Sequence, residues 1–328
     1  MPSAAPRRSP SRISVASSDS KAQAALDVLN QLSPVAPRAA VLAALRTGLG
    51  DRHFLVVCRA ATLSGEKLLH ELIPDLLNAW ARFLQDAVKR DPQCKAKSAI
   101  ARALVALECQ DIAFYQRGIG YRQLEPVWGG RADTATDLRC SCAMGLAASG
   151  HVRAVAELAG LLSDPEVPVR CGAARAISCG NPFEAEAVLR LKVHIGDVDP
   201  LVIGECFGAL LAIAPEHSLP FVATYLKGKD AALQEYAALA LGESRRPEAF
   251  ALLRDAWDEL ITAEPRSVLI RAASLHRSEA AFAWLLNLIE TAPARLAGVA
   301  VEALAVYTRN TRLMEQMDAA RNRRQDPI

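Results

Sequence analysis

The chain has 328 residues, of which 51% are hydrophobic but only 5% aromatic. Its formal net charge is +2, and most of the excess arginine lies near the two chain ends, so the body between them is close to neutral. A near-neutral body disfavours a general nucleic-acid-binding protein, which usually carries a basic field on its folded part. The many Ala and Leu residues and the scarcity of β-branched and aromatic residues favour closely packed helices over β-sheet.

Residues 1–21 are predicted to form a disordered tail. They are rich in Ser, Pro and Arg and nearly devoid of apolar side chains, so they cannot bury enough surface to become ordered. An Arg- and Ser-rich, acid-poor start is also typical of an organellar transit peptide, and this alternative stays open. We find no signal peptide and no apolar run long enough to cross a bilayer, so we expect a cytoplasmic protein without membrane insertion.

Residues 22–90 are predicted to be an N-terminal helical segment. The stretches KAQAALDVLNQL and PRAAVLAALRTGL, followed by residues 65–90, place apolar residues at helical spacing. A short polar tail, residues 318–328, is predicted at the other end of the chain.

An internal repeat occupies residues 91–317. The segments KSAIARAL, RCSCAMGL, RCGAARAI, IGECFGAL and QEYAALAL align without gaps, and two weaker copies, VLIRAASL and AGVAVEAL, follow. Each has small residues at the same places and a large aliphatic residue at the eighth position. These anchors are Leu104, Leu146, Ile177, Leu210, Leu241, Leu275 and Leu304. A period of this length predicts a solenoid in which each unit buries its apolar face against its neighbours.

The segment DPEVPVRCGAARAI (164–177) resembles the HEAT-repeat family, and more closely the short HEAT-like repeats first recognised in phycobilisome lyases. The resemblance covers about residues 91–310. It implies an all-α fold, a right-handed α-solenoid (superhelix) of about seven HEAT-like helical-hairpin repeats with a concave inner surface. It says little about function, because such repeats serve scaffolds, enzyme subunits and nucleic-acid-binding proteins alike.

The interval between the first two anchors is about ten residues longer than the others, and the extra residues form an insert at 118–131, GIGYRQLEPVWGGR. Insertions in solenoids lie in loops on one face, often the binding face. Its glycines permit positive φ angles, and Pro126 excludes a regular helix there. The sequence therefore predicts an irregular segment that could carry function.

Six residues of this insert are candidate binding residues. Two of them carry a large apolar body with a polar tip, as recognition surfaces often do, and four could make directed polar contacts: Tyr121 and Trp128, then Arg122, Gln123, Glu125 and Arg131. Asp133, just beyond the insert, could make a further polar contact. Two interpretations stay open. Either the insert contacts a partner, or Trp128 folds back to plug a gap between repeats while Arg122 and Glu125 form an ion pair.

The residue that opens the second helix of a repeat is a further candidate, represented by Lys97, Arg139, Arg170 and Gln234. In HEAT-like repeats such a residue often bonds to an aspartate at the turn of its own or the neighbouring unit. Alternatively, these residues could align on the concave face and offer a short basic ladder to an acidic partner.

Most of the eight cysteines occupy small-residue positions inside apparent helices. We interpret them as reduced thiols that fill the core. Cys140 and Cys142 could suggest a metal site, but two residues apart on a helix they point to different faces, and no further ligand lies at suitable spacing. No metal and no cofactor is predicted.

No catalytic motif such as HExxH, GxSxG or a Walker loop is present. We therefore hypothesise a non-enzymatic scaffold or protein–protein interaction protein that uses the concave helical surface and the insert to bind another protein. One alternative is a bilin or tetrapyrrole lyase or lyase-chaperone subunit, which would need a large apolar groove. A second is a HEAT-like DNA-binding or alkyl-base glycosylase protein, which would need a basic concave face.

Overall fold

The computed structural model describes residues 12–33, 35–324 and 326. These residues divide into two compact units, unit 1 (Met1–His151) and unit 2 (Val152–Ile328). Among the described residues, no helix combines the length and the apolar character needed to cross a membrane.

Unit 1 consists of eight helices and one β-hairpin among the residues described, with short 3₁₀ turns at His70–Leu72 and Pro92–Cys94. Its core is built where α3 packs on α6 and α6 packs on α8. In chain order the elements are α1 (Arg12–Asn30), α2 (Arg38–Leu49), α3 (Phe54–Glu66), α4 (Ile73–Phe83), α5 (Ala87–Arg90), α6 (Lys95–Ala106), α7 (Ile112–Ile119), β1 (Leu124–Val127), β2 (Gly130–Asp133) and α8 (Thr136–Ala148).

Unit 2 is helical throughout its described part, with 3₁₀ turns at Gly160–Ser163 and Thr224–Lys227. Helices α10, α12, α14, α16 and α18 form a row in which each packs on the next. The elements are α9 (Ala154–Ala159), α10 (Val167–Ile177), α11 (Pro182–Ile195), α12 (Pro200–Ile213), α13 (Pro215–Ala223), α14 (Ala231–Ser244), α15 (Pro247–Glu259), α16 (Ala263–His276), α17 (Glu279–Thr291), α18 (Ala294–Ala305) and α19 (Thr311–Arg323).

The repeat segments of the sequence all lie in second helices of this kind, from α6 and α8 in unit 1 to the row in unit 2. Six of the seven anchors are fully buried, and only Leu275 is half-buried. Small residues let neighbouring helices approach closely: a side chain on Gly242 would collide with the Ala272 carbonyl of the next helix in the row. The prediction of an all-α helical-repeat fold is confirmed, whereas the handedness and the superhelical shape stay predictions.

Asp-Pro steps precede three of the second helices, at residues 91–92, 164–165 and 199–200, and the aspartates of the first and the third cap their helices. Asp199 accepts a hydrogen bond from the Leu201 backbone N–H at 3.0 Å, which satisfies one of the free amides at the start of α12. Asp91 does the same for α6 through two successive backbone amides.

Part of each segment predicted to be a tail is helical in the structure. Residues 1–11 lie outside the described residues, but α1 already begins at Arg12, because no Pro or Gly interrupts residues 12–30 and the helix is held by buried Ala22 and Leu29. At the other end α19 continues to Arg323. Met317 and Ala320 are buried in the core of the last repeat, so the polar segment is helical to that point.

Candidate functional site

The insert forms a two-stranded antiparallel hairpin, β1 with β2, that replaces the irregular segment expected from the sequence. Its register pairs Leu124 with Asp133 and Val127 with Gly130. The turn between the strands is Trp128-Gly129, and Gly129 has a φ of 87°, a region that favours glycine. Because a hairpin of this size is marginally stable alone, its base must be held by the rest of unit 1.

One anchor of the base is the Asp133 carboxylate. It accepts hydrogen bonds from the backbone N–H groups of Gln123 at 3.1 Å and Ala135 at 3.0 Å, and from the Arg139 guanidinium at 2.6 Å. The Arg139 side chain is fully buried and also donates to the Tyr121 carbonyl at 2.9 Å. Burial by itself would raise the pKa of the Asp133 carboxyl, but these bonds outweigh burial and lower the pKa.

A second anchor is the Glu125 carboxylate. One oxygen accepts from the Gln93 backbone N–H at 2.6 Å, the Gln123 side-chain amide at 2.7 Å and the Thr134 hydroxyl at 2.9 Å. Burial opposes the charge of Glu125, yet these three donors leave its pKa lowered. Because Gln123 also donates to the Asp91 carbonyl at 2.8 Å, the hairpin is tied to the turn that precedes α6.

Below the hairpin lies a buried ion pair between Lys97 and Asp91, with Nζ and Oδ2 2.7 Å apart and neither side chain exposed. Lys97 also donates to the Phe83 carbonyl at 3.3 Å. Its ammonium lies 5.7 Å from the centre of the Tyr121 ring, which packs edge-on against Trp80. Burial raises the pKa of Tyr121 to about 12. These four side chains form a dense support for the hairpin.

The tip of the hairpin is exposed on all sides. The Trp128 side chain is 103% exposed, and Val127 and Leu124 are about half exposed. Arg131 is exposed as well. Trp128 therefore does not plug a gap between repeats, because no part of its side chain is buried. Arg122 forms an ion pair with Asp133 at 3.4 Å, and one Glu125 oxygen accepts from amide and hydroxyl donors. The ion pair between Arg122 and Glu125 stays a prediction.

The residues that open the second helices hold turns together. The Arg170 guanidinium makes two bonds to Asp197, at 2.9 and 2.8 Å, and also donates to the Asp164 carbonyl. Gln234 donates to the Leu226 and Gly228 carbonyls. The structure confirms the expected aspartate partners of Lys97, Arg139 and Arg170. It excludes a basic ladder made of these three, because their side chains are buried.

The aspartate partners were expected, but the constant spacing that marks them in the sequence was not used. An aspartate stands six residues before each cation, as in Asp91 and Lys97, Asp133 and Arg139, and Asp164 and Arg170. In the first two pairs the carboxylate bonds the cation directly; in the third, Arg170 bonds the aspartate's backbone carbonyl. The constant spacing follows from an aspartate at the turn and a cation in the first turn of the helix.

Five of the eight cysteines are buried, and Cys179 is the exposed one. Burial raises the pKa of the Cys94 and Cys206 thiols to about 12, so these thiols are poor nucleophiles at neutral pH. Cys142 fills the space opposite Gly118. Any residue larger than glycine at position 118 would collide with the Cys142 sulfur. The core-filling interpretation is confirmed for the five buried residues.

No family model and no curated protein matches the chain. Solved structures do resemble it, each at 18% identity. A chain of the CpcE–CpcF complex of phycocyanin lyase from Nostoc sp. PCC7120 has a TM-score of 0.36 over 71% of this chain and 92% of its own. Human deoxyhypusine hydroxylase has a TM-score of 0.31, and the match covers 81% of this chain and 99% of the hydroxylase chain. An engineered protein has a TM-score of 0.39, and the match covers 92% of this chain and 89% of the engineered chain. Likenesses this distant carry no argument about function.

Proposed function

We propose that the protein is a non-catalytic interaction protein, and that the insert at residues 118–131 contacts a protein partner through the tip of the β1–β2 hairpin. The observation that carries the proposal is the fully exposed Trp128 side chain at the end of an anchored hairpin. Tryptophan is enriched among the residues that dominate binding energy in protein interfaces. An exposed tryptophan held away from its own core is available for such a contact.

The energetics support a contact at this position. A tryptophan side chain buries on the order of 200 Å² when it is covered, which stabilises a complex by a few kcal/mol at about 25 cal/mol per Å². Val127, which directly precedes Trp128, adds a half-exposed apolar side chain at the tip. Because the base is fixed by Asp133 and Glu125, little conformational entropy is lost when the tip binds.

The test is affinity capture from native lysate with quantitative mass spectrometry, comparing the intact chain with Trp128→Ala. Phe183→Ala is the matched control, because Phe183 is an aromatic residue of unit 2 that is 87% exposed. We expect Trp128→Ala to lose a specific protein that Phe183→Ala retains, and the purified partner to bind at least about tenfold more weakly to Trp128→Ala. An unchanged partner set for Trp128→Ala contradicts the proposal.

The same purified protein tests the two alternatives. A change in bilin absorbance on mixing would support a tetrapyrrole lyase or lyase chaperone. Salt-dependent binding to duplex DNA, stronger at low salt, would support a nucleic-acid-binding protein. We expect neither, because Trp128 offers a small protruding apolar contact and not an enclosed or basic surface.

A further inference from the structure

Three successive helix turns of unit 2 carry an arginine at the same position. The segments ESRRPEAF (243–250), LHRSEAAF (275–282) and YTRNTRLM (307–314) align without gaps, and Arg245, Arg277 and Arg309 recur every 32 residues. We call these three residues the arginine edge. Arg245 and Arg277 directly follow α14 and α16, whereas Arg309 lies in the turn between α18 and α19, four residues after the end of α18.

The three turns are direct neighbours. The His276 ring Nε2 lies 2.9 Å from the Arg246 carbonyl, which joins the first turn to the second. The Tyr307 hydroxyl donates to the Ser274 carbonyl at 2.6 Å, which joins the second to the third. Because packed helices lie about 8–10 Å apart, the arginine edge runs along one side of unit 2 with steps of that size.

The charges of the arginine edge are not neutralised by the protein. All three side chains are exposed, as are the neighbouring Arg246 and Arg312, and none of the five has a carboxylate partner within 4.0 Å among the described residues. Other cations of unit 2 are used in ion pairs, including Arg170, Arg175, Arg190, Lys192, Lys227, Arg295 and Arg323. The first two turns also hold exposed Glu243, Glu248 and Glu279. The excess of positive charge therefore lies at the third turn, which holds Arg309 and Arg312 and no carboxylate between residues 307 and 314.

At the first two turns the backbone conformation does not explain why the residue is arginine. Arg245 has a φ of 53° and Arg277 a φ of 58°, the left-handed conformation in which helices usually end on glycine. A side chain in this conformation costs on the order of 1 kcal/mol relative to glycine. The side chains, and not the turn geometry, distinguish these positions.

A cavity of about 750 Å³ adjoins two members of the edge, and its lining includes Arg277, Arg309, Arg312 and Tyr307. The Arg277 guanidinium lies 5.7 Å from the centre of the Tyr307 ring, so a cation and an aromatic face occur side by side. Such a surface accepts carboxylates together with the apolar parts of a peptide.

We propose that the arginine edge binds an extended acidic segment of a partner protein, with Asp or Glu at every third residue. In the polyproline II conformation a chain has three residues per turn and rises about 3.1 Å per residue. Every third side chain then lies on the same face, about 9 Å from the last, and matches the step between the turns. A peptide fits a single row of three arginines, whereas a specific DNA interface buries about 1,000–2,500 Å² of strongly positive surface. This surface is independent of the hairpin in unit 1.

The test is fluorescence anisotropy at about 50 mM salt, where screening is modest, with the full-length chain and a labelled peptide of four Glu-Gly-Ser units. The triple variant Arg245→Gln/Arg277→Gln/Arg309→Gln should bind the peptide about tenfold more weakly. The control Arg153→Gln/Arg254→Gln/Arg321→Gln removes the same charge from exposed arginines elsewhere in unit 2 and should stay within about twofold of the intact chain. Thermal melting of both variants confirms that they are folded.

Two further probes test whether binding depends on the spacing of the glutamates and on the ligand being a peptide rather than a nucleic acid. A peptide of the same composition with its four glutamates in one block should bind more weakly than the periodic peptide. A five-nucleotide oligothymidylate, which carries the same charge, should bind more weakly than both. A control variant that weakens binding as much as the edge variant, a block peptide or an oligothymidylate that binds as well as the periodic peptide, or no measurable peptide binding would each overturn the proposal. The Trp128→Ala variant should bind the periodic peptide as well as the intact chain does, so failure of the hairpin proposal and failure of this one can be told apart.

Discussion

The base and the tip of the hairpin are only a few residues apart in sequence and have opposite environments. At the base, Gln123 is 2% exposed and the Arg139 side chain is buried, and Glu125 and Asp133 are each bonded by at least three donors. At the tip, Trp128 is fully exposed. The polar residues thus serve structure, while the largest apolar residue is left to solvent.

This contrast reverses the usual distribution of residue types, in which apolar side chains are buried and polar ones exposed. It is consistent because the polar groups of the base satisfy one another, so their burial is not penalised as it would be for unpaired groups. A rigid polar base then presents a hydrophobic tip in one fixed position. The candidate residues named from the sequence therefore divide into two groups, positioning residues and a contact residue.

The largest expected effect comes from breaking the buried ion pair under the base. Lys97→Ala leaves the Asp91 carboxylate buried and unpaired, which should lower the free energy of unfolding by about 3–5 kcal/mol. Urea unfolding followed through Trp80 fluorescence measures this. Arg102→Ala is the control, because Arg102 and Asp137 form an exposed, 3.9 Å pair that should contribute less than about 1 kcal/mol. Equal effects of the two substitutions would show that the base is not a structural anchor.

Glu125→Gln should destabilise the protein at neutral pH by about 1–2 kcal/mol, because a neutral acceptor bonds the three donors less strongly. The pKa of Glu125 is lowered from its ordinary value of 4.5, so its carboxylate contributes stability above that pH and loses it as the pH falls through the lowered pKa. The difference between the two proteins should therefore vanish in acid. Urea titrations at several pH values between neutrality and about pH 3 measure it; a difference independent of pH would contradict the account.

A smaller effect is expected at the turn. Gly129→Ala places a side chain at a φ of 87° and should cost about 1 kcal/mol. The adjacent Gly130→Ala is the control, because its φ is not positive and a side chain there meets nothing within 4 Å. Thermal melting distinguishes the two, and equal melting temperatures would show that the turn does not constrain the tip.

The smallest effect on stability is expected from the largest side chain. Trp128→Ala should change the free energy of unfolding by less than about 0.5 kcal/mol, as is usual for an exposed residue. Tyr121→Ala should cost several times more, because the Tyr121 ring contacts Trp80 and Lys97. A large loss of stability in Trp128→Ala would contradict the exposed position of Trp128 and would support the interpretation that its side chain fills a gap between repeats.

The helical repeat could be predicted because the same pattern, small residues followed by a large aliphatic residue, recurs along the sequence at a nearly constant spacing. The hairpin could not, because Leu-Glu-Pro-Val with a proline and a glutamate does not have the alternation of a strand, and the pairing depends on contacts with residues 91–97. The direction of Trp128 was equally hidden, since a plug and an exposed tip have the same composition. Only the register of the strands, which places Trp128 in the turn, distinguishes an exposed tip from a plug.

The measurement that tests the central claim most directly is fluorine NMR of the chain labelled with 5-fluorotryptophan, with Trp128→Phe used to assign the Trp128 resonance. The account predicts that a soluble paramagnetic agent broadens this resonance in the free protein, while that of buried Trp80 is unaffected. On addition of the captured partner, the Trp128 resonance should shift and become protected. A Trp128 resonance that is protected in the free protein, or still broadened when the partner is bound, would contradict the account.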